Sequence, residues 1–123
     1  MARVSTLESR EAGMIYHIAT RADWAGRGET YAPVGWREEG FVHCSTADQL
    51  VRVANRFYAG RRDLVLLQIN SAQLSALTVW EDTANVGEDF PHIYGAIEVA
   101  AVAAAVDFAA GPDGTFDWWV PAD

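Results

Sequence analysis

The side chains best suited to chemistry stand together in the hexapeptide FVHCST at residues 41–46. It places a histidine, the chain's only cysteine and two hydroxyl groups at the end of a predicted strand. Residues of these types occur in three kinds of site: a nucleophilic cysteine, a metal centre, or a strand end that binds a ligand. Side chains alternate between the faces of a strand, so His43 points away from Cys44 and shares a face with Ser45. This alternation favours the ligand-binding strand end, and it predicts that Cys44 is buried and unreactive.

The two other histidines also lie in predicted strands beside hydroxyl-bearing residues, His17 in MIYHIA and His92 next to Tyr94 in HIYGAI. No C-x-x-C or H-E-x-x-H spacing accompanies them, so no metal site is predicted. Strand ends converge on clefts, and we therefore expect one shared cleft that contains His17, His43, Ser45, His92 and Tyr94. Within it His43, His92 and Tyr94 are the candidates for catalysis, because histidine titrates near pH 6.5 and can transfer a proton.

The charge distribution limits what this cleft would bind. The net charge is −8, which argues against a general nucleic-acid-binding protein because phosphates require a basic face. The arginines nevertheless cluster after the hexapeptide, and the helix that starts at Thr46 offers free amides and the positive end of its dipole. Together with Arg21 and Arg56 these groups predict a small anionic ligand. The alternative is that the arginines form an ordinary solvated helix face.

The elements that position these residues form an α+β fold. Strands are predicted at 14–19, 40–45, 64–69, 77–82 and 92–97, followed by a hairpin of 102–109 and 115–120 around the turn 111–114. One helix, 21–26, begins after a capping Thr20, and a loop follows over 26–37. A second helix, 47–58, is capped by Thr46 and has an apolar stripe at Leu50, Val53, Ala54 and Phe57.

The chain length of 123 residues corresponds to one domain, predicted over 14–123 after a polar N-terminal arm at 1–13. The arm has no apolar stretch of the kind found in signal peptides, and no run reaches the length of a membrane span. A single cysteine cannot form an internal disulfide. We therefore expect a cytoplasmic protein that acts as a monomer or homodimer and does not contact membranes.

Four stretches of the sequence together resemble a bacterial family, the domain of unknown function numbered 952. They are IYHIATRADW, EEGFVHCSTADQLVRVANRFYAGRRDLVLLQIN, VWED and FPHIYGAI, which lie within residues 14–110. The joint pattern of GFVHCST followed by FPHIYG is the specific part of this resemblance. The family has no established activity, so the resemblance implies a fold and leaves the function open.

That family is similar in fold to the ADP-ribosyltransferases, including the RNA 2′-phosphotransferases. YHIAT at 16–20 looks like their first motif, YHGT, which implies that His17 contacts a ribose of NAD and that His43 belongs to the second motif. Ile18 stands where that first motif has glycine. The catalytic glutamate of the third motif has no clear counterpart, and His92 and Tyr94 stand near its position.

Two functions follow from this resemblance. The first is an NAD- or ADP-ribose-binding protein with transferase-like or phosphotransferase-like chemistry, for which NAD or ADP-ribose is the candidate ligand. The second is a non-catalytic small-molecule-binding or sensor protein that uses the same pocket. In both, the residues predicted to hold the ligand are His17, Thr20, Arg21, Ser45, Thr46 and Arg56.

Overall fold

A computed structural model describes residues 13–117 of the chain. In chain order, the elements are β1 (Met14–Thr20), α1 (Arg21–Ala25), β2 (Thr30–Tyr31), α2 (Trp36–Glu39), β3 (Val42–His43), α3 (Ala47–Phe57), β4 (Leu64–Asn70), β5 (Thr78–Glu81), β6 (Phe90–Ile93), β7 (Ile97–Glu98) and β8 (Val102–Phe108). Short 3-10 turns at Ser71–Gln73 and Val99–Ala101 precede β5 and β8. The fold is α+β, as the sequence predicts.

The largest sheet has the order β1-β4-β8 and is antiparallel throughout. Its central strand, β4, is the nearly continuous apolar run LVLLQIN, and its first four residues are buried, as expected for a strand covered on both faces. One face packs against α3 through a cluster that includes Leu50 and Ala54. The opposite face packs against the smaller sheets through Val42, Ile93 and Ile97.

Two smaller antiparallel sheets, β3-β6-β5 and β2-β7, lie on that opposite face. The sequence predicts one strand over 92–97, but the structure divides this segment between β6 and β7. Gly95 lies at the break, where a Cβ atom would stand 2.8 Å from the Cβ of Ala76. Only glycine allows this close approach, so the chain turns there and enters a different sheet.

Both predicted helices form with their predicted caps. The Thr20 side chain accepts a hydrogen bond from the Asp23 amide at 3.0 Å, and α1 ends one residue before the predicted boundary. Thr46 and Gln49 form a reciprocal capping box at the start of α3. Their polar side chains therefore satisfy the amides that every helix start leaves without a helical partner.

Three local predictions are wrong. The predicted loop 26–37 contains β2 and the first turn of α2, both too short to carry a periodic signal. The strand predicted at 40–45 is reduced to β3, with Ser45 in an isolated bridge to Tyr16. β8 pairs with β4, and of the predicted second hairpin strand the described residues 115–117 form no strand.

Residues 118–120 of that predicted hairpin lie outside the described residues, as does the predicted arm 1–13 apart from Gly13. Among the helices that the structure describes, none is long and apolar enough to cross a membrane.

Candidate functional site

A cleft of about 460 Å³, here called the main cleft, opens between α3, β1 and the β3-β6 pair. Its wall is predominantly apolar and includes Tyr16, Ile18, Val53, Phe57, Tyr58 and Phe90. Its polar side chains include Ser45, Thr83 and a group formed by His43, which contacts both His92 and Glu39; this group is the polar corner of the cleft. A concave apolar site with a few polar groups is the usual form of a small-molecule site.

Strand pairing brings two of the three histidines into this corner. His43 on β3 is the register partner of His92 on β6, and their ring centres lie 5.3 Å apart in an edge-to-face arrangement. Phe41 stacks on the His92 ring with a centroid distance of 4.0 Å. The His92 side chain is buried, whereas that of His43 is 60% exposed. The two imidazoles thus differ in their access to solvent while they share one cleft.

Each of these histidines contacts a carboxylate that the sequence analysis did not identify. His92 Nδ1 lies 2.9 Å from Glu81 Oε2, and His43 Nε2 bonds to Glu39. Glu81 also accepts a hydrogen bond from the Tyr94 hydroxyl. The bonds from Tyr94 and then His92 lower the pKa of Glu81, so this carboxyl group is ionised at neutral pH.

The carboxylate determines which nitrogen of His92 carries the proton. An ionised carboxylate only accepts hydrogen bonds, so Nδ1 of His92 is the N–H donor to Glu81. In the neutral ring, Nε2 therefore holds the lone pair. In the described part of the chain, every buried side-chain nitrogen and oxygen has a hydrogen-bond partner. The bond from Nδ1 is the only side-chain hydrogen bond described for His92, so Nε2 is not a fully buried atom. Nε2 therefore reaches the surface of the cleft.

The third histidine does not enter the main cleft. His17 alternates with Tyr16 and Ile18 along β1, so it points to the opposite face of the strand from these two lining residues. It lines a second cavity of about 470 Å³, which it shares with His43. The prediction of one shared cleft is thus wrong for His17, which faces away from Tyr16 along β1, although Ile18 lines both cavities. It is wrong for Tyr94 as well, which does not line the main cleft.

Both ring nitrogens of His17 are occupied within the protein. Nδ1 donates to the His43 carbonyl at 2.7 Å, so Nε2 accepts from the Tyr31 hydroxyl at 3.0 Å. Burial lowers the pKa of His17 to about 4, because a charged imidazolium is poorly solvated there. Burial likewise raises the pKa of Tyr31. His17 is therefore a neutral structural group that joins β1, β2 and β3.

The remaining predicted ligand-binding residues are dispersed. Ser45 lines the main cleft and Thr20 lines the second cavity, while Thr46 caps α3 and Tyr94 bonds to Glu81. Arg21 lies 3.5 Å from Asp107, and Arg56 stacks over the Phe57 ring. Among the described residues, no arginine lines either cavity. The predicted anion-binding residues are thus not brought together.

Cys44 is 4% exposed, which confirms its predicted burial, although it lies just beyond β3 and lines the main cleft together with His43 and Ser45. Burial raises the pKa of its thiol far above the usual value, so the thiolate is a negligible fraction at neutral pH. In residues 13–117, no three histidine, cysteine, aspartate or glutamate side chains are arranged to hold a metal ion.

Comparison with known proteins gives a family and a fold. A crystal structure of protein CC0527 from Caulobacter crescentus has a TM-score of 0.76 and 28% identity, covering 85% of this chain and 94% of that one. The solution NMR structure of CC0527 has a TM-score of 0.67 and 31% identity, with 83% and 90% covered. No protein with a curated description matches. Residues 18–105 match the family described as "Protein of unknown function (DUF952)", and the chain therefore belongs to this family.

Proposed function

We propose that the main cleft binds a small planar molecule, either uncharged or cationic, and that His92 acts as the general base that accepts the proton of the water or acceptor hydroxyl attacking this molecule. The observation that carries this proposal is the hydrogen bond between the buried His92 and the partly exposed Glu81, at the polar corner of a mainly apolar cleft. A carboxylate on one imidazole nitrogen fixes the tautomer and stabilises the positive charge that appears when the other nitrogen accepts a proton. Aromatic walls favour a planar ligand, which they can stack against.

Charge excludes phosphate groups as the main source of affinity. Glu39 and the His92-bound Glu81 contribute negative charge to this corner, and the nearby arginines are engaged elsewhere. Arg52, for example, forms two hydrogen bonds of 3.0 and 2.9 Å to Glu88. Among the candidate ligands, the nicotinamide end of NAD is planar and cationic and meets these requirements. The pyrophosphate of NAD or ADP-ribose would have to remain outside the cleft.

In this proposal the fold is ADP-ribosyltransferase-like, and the cleft holds the nicotinamide riboside part of a dinucleotide. Support comes from the resemblance of YHIAT and GFVHCST to the first two motifs of that fold. In this proposal His17 does not make the ribose contact that the resemblance implies, because both of its ring nitrogens are already hydrogen-bonded within the protein. Ligand recognition falls instead to His92, His43 and the Ser45 hydroxyl.

A titration with nicotinamide, nicotinamide riboside, NAD and ADP-ribose tests the proposal, with chemical shifts of the His92 and His43 rings as the readout. We expect nicotinamide riboside to bind at least as tightly as NAD, and ADP-ribose to bind more weakly than either. The matched variants are His92→Gln, expected to weaken binding about tenfold through loss of the hydrogen bond that Nε2 makes to the ligand, and the exposed Asp48→Asn as the control. Tighter binding of ADP-ribose would contradict the proposal.

Binding without turnover is the second candidate, and the burial of His92 under Phe41 favours it. A stacked, buried imidazole can hold a ligand, yet it offers little room for an attacking water or acceptor. Incubation with NAD, followed by chromatography for free nicotinamide, separates the two functions. Release that disappears in His92→Gln would establish catalysis, whereas binding with no release would establish a sensor or carrier.

A further inference from the structure

The second cavity adjoins the main cleft, but most of its lining residues are different. It occupies about 470 Å³ between β1, α1 and α2, so it is as large as the main cleft. Four of its lining residues are aromatic, namely Tyr31, Trp36, Phe41 and Tyr58. Cavities with several aromatic walls bind cations over the ring faces, especially alkylated ammonium groups.

Its charged lining is entirely negative among the described residues. Asp23, Glu38 and Glu39 line the cavity, and no arginine does. Glu39 bonds to His43, but neither Asp23 nor Glu38 forms an ion pair with a basic residue of the described chain. The negative charge of Asp23 acts on the cavity wall. Burial raises the pKa of Tyr31, and the charge of Asp23 raises it further. A ligand that enters would have to compensate this negative charge.

The nearest arginines do not supply that compensation. The Arg27 guanidinium lies 4.1 Å from the Trp24 ring centre, and Arg37 lies 5.1 Å from that of Trp36. Neither side chain lines the cavity. These contacts also show that tryptophans of this region accept a cation on the ring face.

We propose that the second cavity is a binding site for the alkylammonium group of a small organic cation. The aromatic walls contact the alkyl substituents, and Asp23 and Glu38 balance the charge. The two cavities adjoin and share Ile18, Glu39, His43 and Tyr58. This inference still does not depend on the proposed function, because Asp23, Trp36 and Glu38, which carry it, do not line the main cleft. A cation here would lie beside His43, next to any ligand of the main cleft.

The test is an NMR titration of the full-length protein with choline and with its uncharged isostere 3,3-dimethylbutan-1-ol. The indole N–H signal of Trp36, assigned with Trp36→Phe, reports on the second cavity, and the His92 ring reports on the main cleft. We expect choline to shift the Trp36 signal at millimolar concentration, and the isostere to leave it unchanged. The double variant Asp23→Asn/Glu38→Gln should weaken choline binding at least about tenfold, a loss typical of a charged partner.

Asp48→Asn is the matched control, since it removes the same charge from an exposed position on α3 that lines neither cavity. It should leave choline affinity unchanged within about twofold, as expected for a screened surface charge. If the double variant does not fold, the exposed Glu38→Gln alone carries the test. Equal binding of the isostere, shifts confined to His92, or unchanged affinity in the variants would each overturn the proposal. Failure of nicotinamide riboside to bind would affect only the proposed function.

Discussion

Burial of neutral His17 makes the stability of this protein depend on pH. The pKa of His17 is lowered by burial from 6.5 to about 4 in the folded state. The unfolded chain therefore takes up a proton on this side chain at a higher pH than the folded chain does. The stabilisation from neutral His17 is fully present above the unfolded-state pKa of 6.5, and it decreases as the pH falls from there toward 4.

The size of the effect follows from proton linkage. With these two values, the free energy of unfolding should be lower by about 2 kcal/mol at pH 5 than at pH 7, with about 1 kcal/mol more lost by pH 4. Carboxylates with lowered pKa, such as Glu81 and Glu88, add a loss of the same sign at lower pH. The interval from pH 7 to pH 5 is therefore the one that isolates His17.

Urea denaturation at pH 7, 6 and 5, followed by tryptophan fluorescence, measures this change. His17→Gln keeps a neutral polar side chain. We expect this variant to be less stable than the wild type at pH 7, and its stability to fall much less than that of the wild type between pH 7 and pH 5. His43→Gln is the matched control, because the side chain of His43 is 60% exposed. It should keep most of the decline, since burial, and not the nearby His43 ring, is the largest cause of the lowered pKa of His17. A wild-type stability that is flat over this interval, or a decline that persists in His17→Gln, would refute the reasoning.

Three further predictions concern the site and the sheet arrangement. Glu81→Gln should weaken binding of nicotinamide riboside about tenfold in a titration, because His92 loses a charge-assisted hydrogen bond, and an unchanged affinity would contradict the role given to this carboxylate. Cys44 should react with a thiol reagent only at the rate of unfolding, as followed by absorbance with and without urea, and rapid labelling of the folded protein would contradict its burial. Gly95→Ala should lower the melting temperature by several degrees because its Cβ would meet that of Ala76, and Ala76→Gly should restore part of the loss.

Local sequence determines those elements whose signals lie within a few residues. The helix α3 was predictable because Thr46 and Gln49 cap it and because its apolar stripe repeats with the helical period. The strand β4 was predictable from a nearly continuous apolar run, and the burial of Cys44 from its place in an apolar stretch of the sequence. In the same way, alternation along β1 already contains the information that His17 faces away from Tyr16.

Tertiary structure decides what depends on pairing between distant segments. Glu81 carries no signal in the sequence, since it becomes part of the site only because a neighbouring strand places His92 beside it. Glu39 lies only four residues before His43, and the short α2 that ends there gives no periodic signal. The register of β3 with β6 brings His92 next to His43 across 49 positions of the chain, and that of β5 with β6 places Glu81 beside them. Sequence thus identifies the residues able to do chemistry, whereas the sheet registers determine which of them meet, because contacts between strands depend on packing of the whole core.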